Sequence, residues 1–140
     1  MIDLYSRVVV GWAMSERMGA QLANDALMIT IWKRKPTKGL MVHSDRGSQY
    51  ASGLYRKTIK NHGFICSMSR KGSCCDFAPA KSFFHTLKTE LTHHRRCKTR
   101  EEAKQEIFEY IEVFYNRQRR QSTIAYQTPL GYEQLNRKVE

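Results

Sequence analysis

Carboxylates are scarce in this sequence: 13 Asp and Glu face 24 Lys and Arg across 140 residues, leaving a formal net charge of +11 and a pI near 9.8. That surplus points to a polyanionic partner, because neutralising phosphates releases condensed counterions and gives salt-sensitive affinity without reading any base. The plainer alternative is a basic protein with a solvated surface. Long apolar runs are also missing. None approaches the roughly 20 residues that cross a bilayer, and Met1-Ile2-Asp3-Leu4-Tyr5 lacks the basic-then-apolar layout of a secretion signal. The expectation is a cytoplasmic protein with no membrane partner. Cysteines are few and poorly spaced. Cys66, Cys74, Cys75 and Cys97 give no C-x-x-C pair and read as reduced thiols, while His93, His94 and Cys97 lack the second spaced pair of a zinc site and read as a basic surface turn. There is no internal repeat and no low-complexity segment. What remains, 41% hydrophobic and 26% charged, is the composition of one globular domain with a real core.

The organising stretch is Leu40-Met41-Val42-His43-Ser44-Asp45-Arg46-Gly47-Ser48-Gln49-Tyr50. A short apolar run feeds a carboxylate at its end, then a glycine turn and a helical pattern, which is how an α/β sheet commonly presents a catalytic acid. Asp-x-Gly is also ordinary turn chemistry, so Asp45 alone leaves both readings open.

Around that stretch, residues 1 to 15 read as a β-hairpin: Ile2 to Leu4, a turn at Tyr5-Ser6-Arg7, and a return strand Val8 to Met14. The first strand reads as cut short, with sequence belonging upstream. Between Gly19 and Lys35 the residues Leu22, Ala23, Ala26, Leu27, Thr30 and Ile31 recur at helical steps, and Pro36 closes the segment. Ser52 caps a helix running to about His62, with Gly63 just past its end, and Phe64 to Met68 reads as a strand. The loop Ser69 to Cys75 is polar and basic, suited to gripping a phosphate backbone, with Lys71 as a candidate contact. Helix resumes from about Asp76 to Leu91. Thr99-Arg100-Glu101-Glu102 matches a capping box at the start of a long helix to about Asn116, and a further helical turn falls near Pro129 to Leu135. Trp12 and Trp32 read as core aromatics. The succession is an α/β pattern with a mixed sheet.

Four segments then carry a resemblance. Ile2 to Arg7, His43 to Tyr50, Ala78 to Lys88 and Phe114 to Arg120 resemble, in order, successive motifs of bacterial insertion-sequence transposases that share the retroviral-integrase catalytic core. The likeness covers nearly the whole chain. It implies an RNase H-like mixed sheet flanked by helices and lacking the family's first, central strand. It also implies residues 1-120 as a partial catalytic core and 121-140 as a basic and aromatic tail.

The resemblance further implies three carboxylates, aspartate, aspartate and glutamate, holding Mg²⁺ or Mn²⁺ for phosphoryl transfer. Asp45 matches the second aspartate and is the one expected metal ligand. The glutamate position falls at Lys81, where an ammonium replaces a ligand and repels a cation. Asp76 and Glu90 are poorly placed to substitute, and Asp3 follows the strand that bears the family's first aspartate. The expected partner is double-stranded DNA, transposon ends and target, with self-association or a full-length relative as further partners. Lys81, His85 and Lys88 share an arc of about 60° on one helix, apart from an apolar face of Ala80, Phe83, Phe84, Leu87 and Leu91. Lys88 matches a basic position the family uses against DNA, and Arg117, Arg119 and Arg120 add candidate phosphate contacts. The reading is a metal-dependent transposase core whose chemistry is impaired. The alternatives are a non-enzymatic basic DNA-binding module or a decayed gene product.

Overall fold

Sequence and fold meet first in the helix caps. A computed structural model describes residues 1–70 and 78–137 and divides them into two compact units, one of Met1 with Val10–Ala78 and one of Ile2–Val9 with Pro79–Glu140. In the first, α1 (Ala20–Arg34) ends with Lys35 in the left-handed region at φ 46°, its N–H bonded back to the Ile31 carbonyl. Next come β1 (Met41–Ser44), α2 (Gly53–Asn61) and β2 (Ile65–Met68). Ser52 caps α2 by accepting from the Tyr55 N–H. At its other end Gly63, at φ +69°, donates to the Lys60 carbonyl and Phe64 donates to Ile59, the paired bonds of a Schellman stop that only glycine adopts without strain.

β1 and β2 are parallel, in the register Met41 to Ile65 through Ser44 to Met68, as a strand-helix-strand crossover requires. Ala23, Leu27, Val42, Tyr55, Ile59 and Phe64 form the core, with Met1, Ile31 and Tyr50 packed against it. Two polar residues join α1 to α2 inside it: the Thr58 hydroxyl donates to Asn24 Oδ1 at 2.6 Å. Gly11 lies so close to α1 that a Cβ would come within 2.1 Å of Thr30 Oγ1 and 2.7 Å of the Ala26 carbonyl.

In the second unit, α3 (Ala78–Leu87) continues as a π-helical turn (Lys88–Thr92), and α4 (Arg100–Phe108) continues as a second π-helical segment (Glu109–Tyr115). A 3₁₀ turn (Ser122–Ile124) and α5 (Pro129–Arg137) follow. Thr99 caps α4 through the Glu102 N–H, while the Glu102 carboxylate reaches the Lys98 N–H rather than that of Thr99, one residue off the expected box. Phe83, Leu87, Tyr110, Ile111, Tyr115 and Ile124 are buried, with Phe83 edge-on to Tyr115 at 4.9 Å.

The π winding sets which residues face inward. Roughly 4.4 residues per turn place residues five apart on nearly one face, whereas α winding would put them about 140° apart. Asn116 N–H accordingly bonds the Ile111 carbonyl at 3.1 Å, and Asn116 joins Ile111 in the interior. There its side-chain amide meets Val9 twice, Oδ1 accepting from the Val9 N–H at 2.9 Å and Nδ2 donating to the Val9 carbonyl at 3.1 Å. The amide acts as a one-residue strand partner.

Three expectations need correction. The hairpin over residues 1–15 reduces to an isolated antiparallel bridge between Ile2 and Val9, because the outward backbone groups of Val9 go to the Asn116 amide and Val10–Met14 enter no strand. Trp32 is not a core aromatic: it is 78% exposed on α1, whose inward face is taken by Ala23, Asn24, Leu27 and Thr30. Phe84, assigned to the apolar face of α3, is 56% exposed and touches Phe83 only at the rim.

Candidate functional site

Asp45 is presented where the sequence places it, immediately after β1. The strand ends are fastened there by the Ser69 N–H to the Ser44 carbonyl at 3.0 Å and by Arg46 Nε to the Ser69 carbonyl at 3.0 Å. His43 Nδ1 and Ser67 Oγ, 2.8 Å apart, add a side-chain link across the same strands. Asp45 is exposed, and its Oδ1 accepts from the Gly47 N–H at 2.7 Å, an Asx turn that fixes the carboxylate over the glycine. A Cβ at Gly47 would lie 2.8 Å from Asp45 Oδ1 and from both amide atoms of Gln49, so a larger residue there would have to displace one or both of those side chains. Tyr50 completes the surroundings. Burial, then the Asp45 charge, raise its phenol above the ordinary value against an opposing hydrogen bond with Gln49. Sequence reasoning quoted Gln49 and Tyr50 within the motif without assigning them a part beside Asp45; their one-turn spacing after the glycine was the available signal.

The other expected site residues lie in the second unit or outside the described residues. Lys81, His85 and Lys88 are all exposed, Lys81 and His85 on α3 and Lys88 where the π turn begins, with Phe83 and Leu87 buried on another side. Lys71 and Asp76 fall outside the described residues, as do Cys74 and Cys75. Glu90 is fully engaged. It accepts from the Tyr110 hydroxyl at 2.6 Å and from Arg119 through Nε at 2.9 and 3.0 Å and Nη2 at 2.9 Å. Partial burial works against the Glu90 charge, but hydrogen bonds from Arg119 and Tyr110 and the charge of Arg119 hold the carboxyl below its ordinary value. Arg119 thereby ties the α3 extension to the end of the second π segment, while Arg117 donates to the Glu112 carbonyl at 3.1 Å and Arg120 is exposed.

Asp3 is spent on backbone. Its Oδ1 accepts from the N–H groups of Tyr5 at 2.8 Å and Ser6 at 3.1 Å, closing the turn before Val8. His93, His94 and Cys97 lie exposed in the link between α3 and α4. A pair of divalent ions needs several converging oxygen ligands. Asp45 has one oxygen on a backbone N–H, Asp3 holds a turn, and Lys81 offers an ammonium; among the described residues no three His, Cys, Asp or Glu side chains come together as a metal-binding group. The donor set of the described residues does not fit a pair of divalent ions. Among the described residues no helix is long and apolar enough to cross a membrane.

A parallel strand pair crossed over by α2, with α1 packed on that helix and an aspartate at the end of the first strand, defines an α/β protein of RNase H-like architecture. The chain belongs to the integrase core domain family, whose model matches residues 1–74; a second model of the same description matches residues 81–136. Proteins of this family generally use divalent metal ions. The chain is 47% identical over 136 residues to "Transposase InsF for insertion sequence IS3A" of Escherichia coli (strain K12), a match covering 97% of this chain and 47% of that protein. It is 46% identical over 135 residues to "Transposase for insertion sequence element IS904" of Lactococcus lactis subsp. lactis (strain IL1403), covering 96% of this chain and 53% of that one. The chain spans about half the length of the curated relatives it matches.

Proposed function

We propose that this chain serves DNA transposition as an integrase-type core, binding double-stranded DNA at transposon ends and target in the cytoplasm while its phosphoryl-transfer chemistry is impaired. The observation that carries the reading is the pairing of a preserved Asp45, held on its Asx turn, with an exposed ammonium at Lys81, where the motif resemblance puts the third carboxylate. Lys81, His85 and Lys88 present their basic side chains to solvent. Arg117 and Arg120 add charge after the second π segment, and Lys71 belongs to the same reading from sequence. Contacts of this kind grip phosphates and set register without reading sequence.

The test is a strand-transfer assay with donor-end duplex and Mn²⁺, run beside a binding measurement across salt. The expected result is duplex binding that weakens steeply as salt rises, with no joined product. Robust joining would sink the impairment, and an affinity flat from low to physiological salt would sink the DNA reading. Lys81→Glu alone is expected not to restore joining, since Asp3 is committed to its turn and Asp45 remains short of partners.

A further inference from the structure

The first unit carries a second concentration of positive charge, far from Asp45. Between Asp25 and Asp76 the sequence has a single carboxylate, Asp45, among ten Lys and Arg: Lys33, Arg34, Lys35, Lys38, Arg46, Arg56, Lys57, Lys60, Arg70 and Lys71. The parallel register sorts part of this set by position. Asp45 follows the C-terminal end of β1, whereas Lys38 precedes its N-terminal end, beyond a four-residue strand that itself spans about 13 Å. At that far end the Gly39 N–H bonds the Gly63 carbonyl at 2.8 Å, and the stem of Lys38 lies against Gly63, where a Cβ would come within 3.1 Å of Lys38 Cγ. Arg56 and Lys60, one turn apart on α2, line a groove of about 500 Å³ with Ile59, Gly63, Phe64 and Cys66. No carboxylate lines it, and Lys38, Arg56 and Lys60 are exposed.

We propose that this end of the first unit is a second surface for the backbone of duplex DNA, with Lys38, Arg56 and Lys60 as its phosphate contacts. The assignment rests on the DNA reading above and extends it to a surface remote from Asp45. Charge complementarity selects the occupant. Cations gathered around a groove that no acid lines repel one another, and a polyanion relieves that repulsion while releasing its own counterions. Arg56 and Lys60 line the groove beside Ile59 and Phe64 and are exposed, and long basic side chains so placed keep their charged heads in water, where phosphates are met. Phe64 is buried and stacked with His62 at 5.7 Å, so the floor offers no open aromatic face on which an unpaired base could stack.

Cys66 supplies the readout, since it is an exposed free thiol lining the groove, and exposed Cys97 in the second unit is the internal reference. The full chain is alkylated with N-ethylmaleimide, with and without saturating duplex, and each cysteine is followed by peptide mass spectrometry. Duplex is expected to slow modification of Cys66 several-fold. Neutralising the surface as Lys38→Gln/Arg56→Gln/Lys60→Gln is expected to abolish that protection and flatten the salt dependence by roughly 2 to 3 in the log–log slope. Replacing the other surface, as Lys81→Gln/Lys88→Gln, is expected to leave Cys66 protection in place. If duplex binds at full slope while Cys66 reacts unhindered, or if the triple variant keeps the parent slope, the proposal is overturned and the reading of the Lys81 stripe stands. If polyglutamate of matched charge protects Cys66 and duplex does not, the surface belongs to an acidic protein instead. If duplex does not bind the chain at all, the DNA reading falls as well.

Discussion

Removing the Glu90 carboxylate is expected to loosen the second unit in a pH-dependent way. Glu90→Gln keeps the shape and one acceptor but discards the charge that holds Arg119 by two nitrogens and the Tyr110 hydroxyl at 2.6 Å. Hydrogen bonds to charged groups contribute about 1.5–3 kcal/mol each when buried. The Glu90 and Arg119 side chains are 35% and 27% exposed, so solvent screening reduces that, whereas Tyr110 is only 7% exposed and is poorly rehydrated once its acceptor weakens. The net cost is about 2 kcal/mol, equivalent to a fall of about 1 M in the urea midpoint for a domain of this size. The carboxyl is held below its ordinary 4.5, so its contribution is complete above that value and is lost as pH falls through the depressed folded value. Urea denaturation followed by circular dichroism at several pH values should therefore show a constant gap between parent and variant from pH 7 to about 5, shrinking below about pH 4. Hydrogen exchange should place the added opening at residues 88–92 and 109–119. Equal midpoints at pH 7, or a gap that persists undiminished to pH 3, would refute the reasoning.

Three further perturbations test other joints. Asn116→Ala leaves the N–H and carbonyl of Val9 buried without their amide partner and should cost about 2–4 kcal/mol by denaturation, with faster exchange at the Val9 amide. Gly11→Ala drives a methyl into Thr30 Oγ1 and the Ala26 carbonyl, and a loss of about 1–3 kcal/mol in urea denaturation is expected, with the fluorescence of Trp12 and Trp32 reporting the first unit. Ser52→Ala removes the α2 cap and should cost about 1 kcal/mol by the same assay, while Ser52→Asp should retain most of the parent stability.

Local chemistry made much of this fold legible. Ser52, Gly63 and Thr99 are start and stop signals that act through local hydrogen bonds, so α2 begins and ends, and α4 begins, within a residue or two of expectation, and α4 with its π continuation ends at Tyr115, one residue short of Asn116. The strand leading to Asp45 and the strand at 65–68 follow from short apolar runs between turns, and the motif resemblance is matched by the integrase core family. What escaped was non-local. Trp32 looks like a core residue by type, but the inner face of α1 is filled by Asn24 and Thr30, polar residues satisfied through Thr58 and the Ala26 carbonyl. The return strand after Val8 was expected from its β-branched run, yet Val9 spends its outward backbone groups on a residue 107 positions away. Periodicity at 3.6 also could not announce the π segments, because Tyr110, Ile111 and Phe114 fit an α pattern, whereas the slower winding shows in backbone bonds five residues apart, such as Asn116 N–H to Ile111 and His93 N–H to Lys88. The sequence pattern put Asp45 just after its strand and Lys81, His85 and Lys88 on an exposed helix face, as the structure has them; the commitment of Asp3, Glu90 and Arg119 to internal partners required the structure.

The second π segment holds, in effect, one spare residue. Five residues of π winding from Ile111 to Asn116 turn through nearly the same angle as four of α winding, so the segment behaves as an α-helix that has absorbed a single insertion without losing phase. Deleting exposed Val113 should therefore let the helix rewind as α with Asn116 still aimed at Val9, whereas deleting one residue from the α-helical part of α4 would rotate everything beyond it by about 100°. This helix can lose a residue in one place and keep its alignment.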